Sequence, residues 1–155
     1  MNGPIHHRLG LSNLVDGTPM TPDLVTRLVA VALAQAHTVA SLLEASVLPV
    51  LLPRDRAFAQ YLAQRLARGA ILDEGVSGDL RAFMDVLDDR IEAGTHRYWH
   101  GDDNHVRGGY EATHREPDIL PLAQARREIA SLTDTVLAAT TGARALRDAR
   151  ALLET

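Results

Sequence analysis

Cysteine is absent from the 155 residues. That excludes disulfides, thiolate nucleophiles, zinc fingers and iron–sulfur ligation, and leaves His, Asp and Glu as the only strong metal ligands. Lysine is missing too: all 16 basic residues are Arg. No side chain can therefore form a Schiff base or act as a P-loop lysine, and the bias towards Arg, Ala and Leu points to a GC-rich bacterial genome. An excess of one charge is also lacking, since the formal net charge is −4 and the acids are spread along the chain. Such a surface offers no footprint for duplex nucleic acid and no basic face for anionic lipid. Long apolar runs are scarce. The best membrane candidate, Leu28 to Leu43, carries Gln35, His37, Thr38 and Ser41 and falls short of a spanning length, so a core helix and no membrane partner are expected. Met1 to Leu11 has no basic region leading into an apolar run, which reads as a cytoplasmic protein without a signal peptide.

What is present is helical periodicity. Residues 1–20 are broken by Gly3, Pro4, Gly10, Gly17 and Pro19 and are expected to form an N-terminal arm, with at most one helical turn near Leu11 to Val15. A single domain is expected over 21–155. Thr21, Pro22 and Asp23 make a helix start, and Val25, Leu28, Val29, Ala32, Ala36, Val39, Leu42 and Leu43 form an apolar arc on a helix reaching about Val47. A second helix is expected from Arg54 to Arg68, with Phe58, Tyr61, Leu62 and Leu66 inward. A third carries Leu80, Phe83, Met84, Leu87 and Ile91 and reaches at least Ala93. From Gly94 to Pro117 periodicity fades, which predicts an irregular His-rich loop with a short hairpin around Val106 to Tyr110.

After Pro121 an apolar seam returns: Leu122, Ala125, Ile129, Leu132, Val136, Ala139, Ala143, Leu146 and Leu153, interrupted only by Arg150. It predicts a long C-terminal helix, or a helix pair broken at Thr140 to Gly142. The fold class expected is all-α, a helical bundle of about four to five helices. The length of the seam, Leu122 to Leu153, predicts a homo-oligomer or a partner helix bound along it. Protein–protein association, chiefly self-association, is the function the pattern favours.

The unusual chemistry is concentrated between Glu92 and Asp118. Four of the seven histidines (His96, His100, His105, His114), the only Trp (Trp99), Tyr98 and Tyr110 lie there. If the third helix ran on through Gly94, Asp85, Asp89, Glu92, His96 and His100 would fall within about 80° on a helical wheel and could share one ion. Glu111 and His114 repeat a Glu-x-x-His pair, though di-metal carboxylate bundles use two such pairs. Glu92, His96, His100, Asp103, Glu111 and His114 are thus the candidate ligands of a divalent metal. His96, His100 and Arg107 are the candidate catalytic groups, with Asp102 or Asp103 as an orienting carboxylate and Arg107 as an anion clamp. The competing view is a solvated helix face, with Tyr98 and Trp99 packed over the bundle's open end. Histidine 37 is expected in the bundle interior or at a helix edge, and His37, His96 or His100 would also offer a haem an axial ligand.

Arg90 to His96 and Arg107 to His114 are similar in spacing to the Arg–His motif of HEPN ribonucleases, small all-helical enzymes. The resemblance implies that Arg would steady the scissile phosphate while His moves a proton. The polar residue that follows the family's Arg is replaced by Ile91 and Gly108. About two such spacings arise by chance from this Arg and His content, so the motif does not assign the family. No Ser lies in a Gly-x-Ser-x-Gly elbow, and Gly108-Gly109 is too short to cradle phosphate.

Overall fold

The computed structural model describes residues 20–100 and 110–154, the side chains of His100 and Tyr110 excepted. The expected N-terminal arm, but for Met20, and the candidates Asp102, Asp103, His105 and Arg107 lie outside the described residues. The chain is mostly α-helical: α1 Pro22–Leu42, α2 Pro53–Ala67, α3 Val76–Ala93 and α4 Leu120–Glu154, with β1 Thr95–His100 and β2 Tyr110–Arg115 between α3 and α4.

The start of α1 is built as its residues dictate. Thr21 is extended and its Oγ1 accepts from the Leu24 N–H at 3.1 Å, with Pro22 in the first turn. Beyond Leu42 the helix widens into a π turn, Leu43–Val47, and tightens into a 3₁₀ turn, Leu48–Val50. Pro49 and Pro53, which cannot donate to a continuing helix, set this exit. The run Pro22–Val50 spans 29 residues at a mean hydropathy of 1.5 and is long and apolar enough to cross a membrane by length and composition. The core helix of a soluble protein passes the same test. Here the buried side chains Leu28, Ala32, Ala36 and Val39 recur at helical spacing.

Helix α4 packs against α1 and α3, and α2 against α1 and α3. The Ala32, Ala36 and Ala40 positions of α1 allow its axis close to α4, where Ala125, Ala138 and Ala139 are likewise buried. The core is filled by Leu43, Leu62, Leu66, Leu80, Phe83, Leu87, Ile129 and Leu132, all fully buried, and Phe58 meets Phe83 edge to face at 5.4 Å. Tyr61, expected inside, is 47% exposed. Its hydroxyl accepts from Arg65 at 2.7 Å and lies 3.4 Å from the Asp79 carboxylate, so the phenol sits where water and charge satisfy its polar end.

Helix α4 is unbroken over 35 residues. The break expected at Thr140 to Gly142 does not occur: the Thr140 hydroxyl is accommodated by donating to the Val136 carbonyl at 2.9 Å, and Gly142 lies where a β-carbon would stand 2.7 Å from Met20 Sδ. The glycine is there for close packing rather than for a turn. The seam divides at the same point. Leu122, Ala125, Ile129, Leu132, Val136 and Ala139 are buried inside the chain, Ala143 and Leu146 are half-buried, and Arg150 and Leu153 are exposed.

Candidate functional site

Helix α3 stops at Ala93. Gly94 caps it and is buried, for a β-carbon there would lie 2.8 Å from Ile119 Cγ2 and 2.9 Å from its Cδ1. The Thr95 hydroxyl then donates to the Ile91 carbonyl at 2.7 Å, and the β-branched and aromatic run Thr95, Tyr98, Trp99 favours an extended strand. The helical stripe Asp85, Asp89, Glu92, His96, His100 therefore does not form: His96 and His100 belong to β1. Within the described residues the expected irregular stretch is replaced by the antiparallel pair β1 and β2; the short hairpin expected at Val106 to Tyr110 lies outside the described residues but for the backbone of Tyr110.

The register pairs Thr95 with Arg115, His96 with His114, Arg97 with Thr113, Tyr98 with Ala112, Trp99 with Glu111 and His100 with Tyr110. Side chains alternate with a period of two, so the positions His96, Tyr98, Ala112 and His114 share one face, and Arg97, Trp99, Glu111 and Thr113 the other. Glu111 and His114, one helical turn apart on a wheel, fall on opposite faces of a strand. They cannot hold one ion together. Tyr98 and Trp99, expected over an open bundle end, are 50% and 67% exposed on the ribbon.

On the first face the His96 and His114 rings stack, with centroids 6.4 Å apart and planes 15° from parallel. The His96 Nε2 lies 3.3 Å from Glu116 Oε2. Glu116 Oε1 and Asp118 Oδ2 are each 3.9 Å from Arg90 Nη2, while Arg90 Nε donates to the Val50 carbonyl at 2.8 Å. Arg90, with 17% of its side chain exposed, thus fastens the hairpin base to the exit of α1. Its donors already face protein acceptors, which leaves the Arg90–His96 spacing with a structural use rather than a phosphate clamp. Neither His96 nor Glu116 was picked out by the sequence as part of such a pair, because Glu116 is brought to His96 only by strand pairing.

On the second face, Arg97 Nη1 donates to Glu92 Oε1 at 2.7 Å. That hydrogen bond first, and the Arg97 charge second, hold the Glu92 carboxyl below its ordinary value, with Arg115 adding to the effect. Arg97 is shifted upward in return. Glu92 is consequently committed to an ion pair and points away from His96's ribbon face. Among the described residues no three His, Asp or Glu side chains come together in a way that could hold a metal ion. His37 is exposed on α1 and not inside the core.

One further cleft, about 580 Å³, lies between the 72–77 turn and α4, lined by Ser77, Thr140, Thr141, Arg144 and Arg147 together with Asp73 and Glu74. Its two arginines are balanced by two carboxylates, so it carries no net charge to select an ion. Comparison with family models, with curated proteins and with solved structures finds no match to this chain.

Proposed function

We propose that this is a small bacterial, cytoplasmic helical-bundle protein that acts by association with another chain, principally a second copy of itself, through the last turns of α4. The observation that carries this reading is the way the C-terminal helix outlasts its own seam. Up to Ala139 the apolar positions are spent on the protein's own core, whereas Leu152 and Leu153 are 76% and 88% exposed. A partner would therefore meet 143–154, not the whole of Leu122 to Leu153. Exposed leucines on a continuing helix are a common means of helix–helix recognition. Sedimentation velocity across a range of concentrations tests the reading. Dimer should grow with concentration and be lost in Leu146→Glu/Leu153→Glu, with the helical circular dichroism retained. A parent chain that sediments as a monomer throughout would refute it.

A second reading, an enzyme or divalent-metal protein at the hairpin, is favoured by one observation: the His96 ring stacks on that of His114 and lies beside the Glu116 carboxylate at the ribbon base. An imidazole beside a carboxylate is a proton-transfer set, while a divalent metal would need ligands beyond these three, which do not by themselves come together around an ion. A metal would have to draw further ligands from His100 and Asp103, and a catalytic site its anion clamp from Arg107. Elemental analysis of the purified protein, with His96→Ala and His114→Ala as controls, decides this reading.

A further inference from the structure

We propose that the hairpin is a second self-association element: the outer edge of β2 pairs with the same edge of a second copy, antiparallel and with Thr113 opposite Thr113. Two ribbons then form one four-stranded sheet. The ribbon of a single chain has two strands only, and of its described side chains Thr95 and Ala112 are half-buried while the rest are exposed. A two-stranded ribbon with no packed face is marginal in water, and further strands are what steady it. Among the described residues β1 also touches the end of α3, whereas β2 has β1 as its chief neighbour and no strand on its far side. That side is the edge to which a strand can add.

The side chains select a second copy. A two-fold axis through the sheet keeps each face on its own side, so a symmetric antiparallel pair must set one residue opposite itself. With Thr113 on the axis, Glu111 stands opposite the second copy's Arg115, and Arg115 opposite its Glu111. Two pairs of opposite charge flanking a Thr–Thr pair are combinations that stabilise neighbouring strands. No other axis position from Glu111 to Arg115 gives them: on Ala112 it leaves Arg115 outside the paired strands, on His114 it sets Glu111 opposite Pro117, and on Glu111 or Arg115 it opposes like charges. Strand β1, Thr95–His100, has no carboxylate to offer. Glu111 acts on Arg97 and Arg115 on Glu92 through charge, but the salt bridge there joins Arg97 to Glu92. Among the described residues Glu111 and Arg115 have none of their own.

Charges on an edge strand ordinarily keep other strands away. Here the same charges admit a copy of this chain in one register. Strand β2 has six residues, well below the roughly 20–30 a side of a stable interface. The contact therefore gains from chains already joined at α4, among which it acts at raised effective concentration, and in that respect it rests on the reading above.

The absence of cysteine lets a single thiol read the register in the full chain. In Thr113→Cys each thiol faces its copy across the axis. In Trp99→Cys, a position on the same face that is 67% exposed, the thiol lies in an outer strand of the four and out of reach of its copy. Under mild oxidation Thr113→Cys is expected to form the linked dimer at least tenfold faster than Trp99→Cys. Adding Glu111→Arg should remove that advantage, and Glu111→Arg with Arg115→Glu should restore it, which a disrupted ribbon would not do. Equal rates at the two positions, or a double exchange that restores nothing, overturn the pairing and leave the edge to another protein's strand or to none, whatever sedimentation shows for α4. Leu146→Glu/Leu153→Glu should slow the linkage at Thr113→Cys while its preference over Trp99→Cys remains. If those two changes leave the rate untouched and the parent chain sediments as a monomer, the α4 reading falls and the ribbon pairing stands without it.

Discussion

Gly94 and Ile119 are in such close contact that a methyl group added to the first would lie under 3 Å from the second. This contact joins the end of α3 to the 3₁₀ turn Pro117–Ile119 that leads into α4. Gly94→Ala is expected to destabilise the protein by about 1–3 kcal/mol through overpacking. Urea unfolding followed by helical circular dichroism checks this; an unchanged midpoint would mean that Ile119 yields without cost.

Arg90 is expected to matter more than its neighbours on α3. Truncation in Arg90→Ala removes the donor to the Val50 carbonyl and the charge facing Glu116 and Asp118. A loss of about 1–3 kcal/mol is anticipated for the acceptor left without its partner. Trp99, the only tryptophan, lies on β1, so its fluorescence reports whether the hairpin loosens in the same variant.

The hairpin should be sensitive to acid through Glu92. Its carboxyl lies below the ordinary value of 4.5 when folded, so the ionised form is favoured by folding. Its contribution is complete above that value and is lost as pH falls through the lowered one. Glu92→Gln should therefore leave an acid titration of Trp99 fluorescence shallower over that window and unchanged near neutrality. Identical acid limbs in the two proteins would contradict the role given to Arg97.

Asp88 and Arg126 join α3 to α4 by two parallel bonds, 2.8 Å and 3.2 Å long, and the carboxylate raises Arg126 above the ordinary guanidinium range. Both side chains are substantially exposed, at 47% and 40%. A coupling of only about 0.2–1 kcal/mol is therefore expected from a double-mutant cycle, and less of it at high salt. A larger, salt-insensitive coupling would show that the pair is drier than its exposure implies.

The two halves of the C-terminal seam should respond differently to charge. Ile129→Asp places a carboxylate where no exposure remains, and loss of the fold is expected. Leu153→Glu lies on an exposed turn and should leave thermal stability within about 0.5 kcal/mol of the parent while weakening association. Thermal unfolding and sedimentation of the two variants separate the seam's structural half from its free half.

Much of the helical frame was legible in the residues. Thr21-Pro22-Asp23 start α1 where they should, the spacing of Leu80, Phe83 and Leu87 places α3, and Leu122 to Val136 mark the buried side of α4. The hairpin was not legible. Glu92, His96 and His100 satisfy helical spacing as well as strand spacing, because residues four apart share a face in both. Glu111 and His114, three apart, share a face only in a helix, and that difference dissolved the expected Glu-x-x-His pair.

By itself the sequence determined a mostly helical chain, because apolar periodicity, caps and prolines act over a few residues and do not depend on what lies far away. It also confined the site's chemistry to imidazole, carboxylate and guanidinium. Tertiary structure alone decided that α3 ends against Ile119, that Glu116 stands beside His96, and that α4 spends its seam as far as Ala139 within its own core. Each of these turns on contacts between residues distant in sequence, or brought together by strand pairing, where one methyl group or one register step selects the outcome.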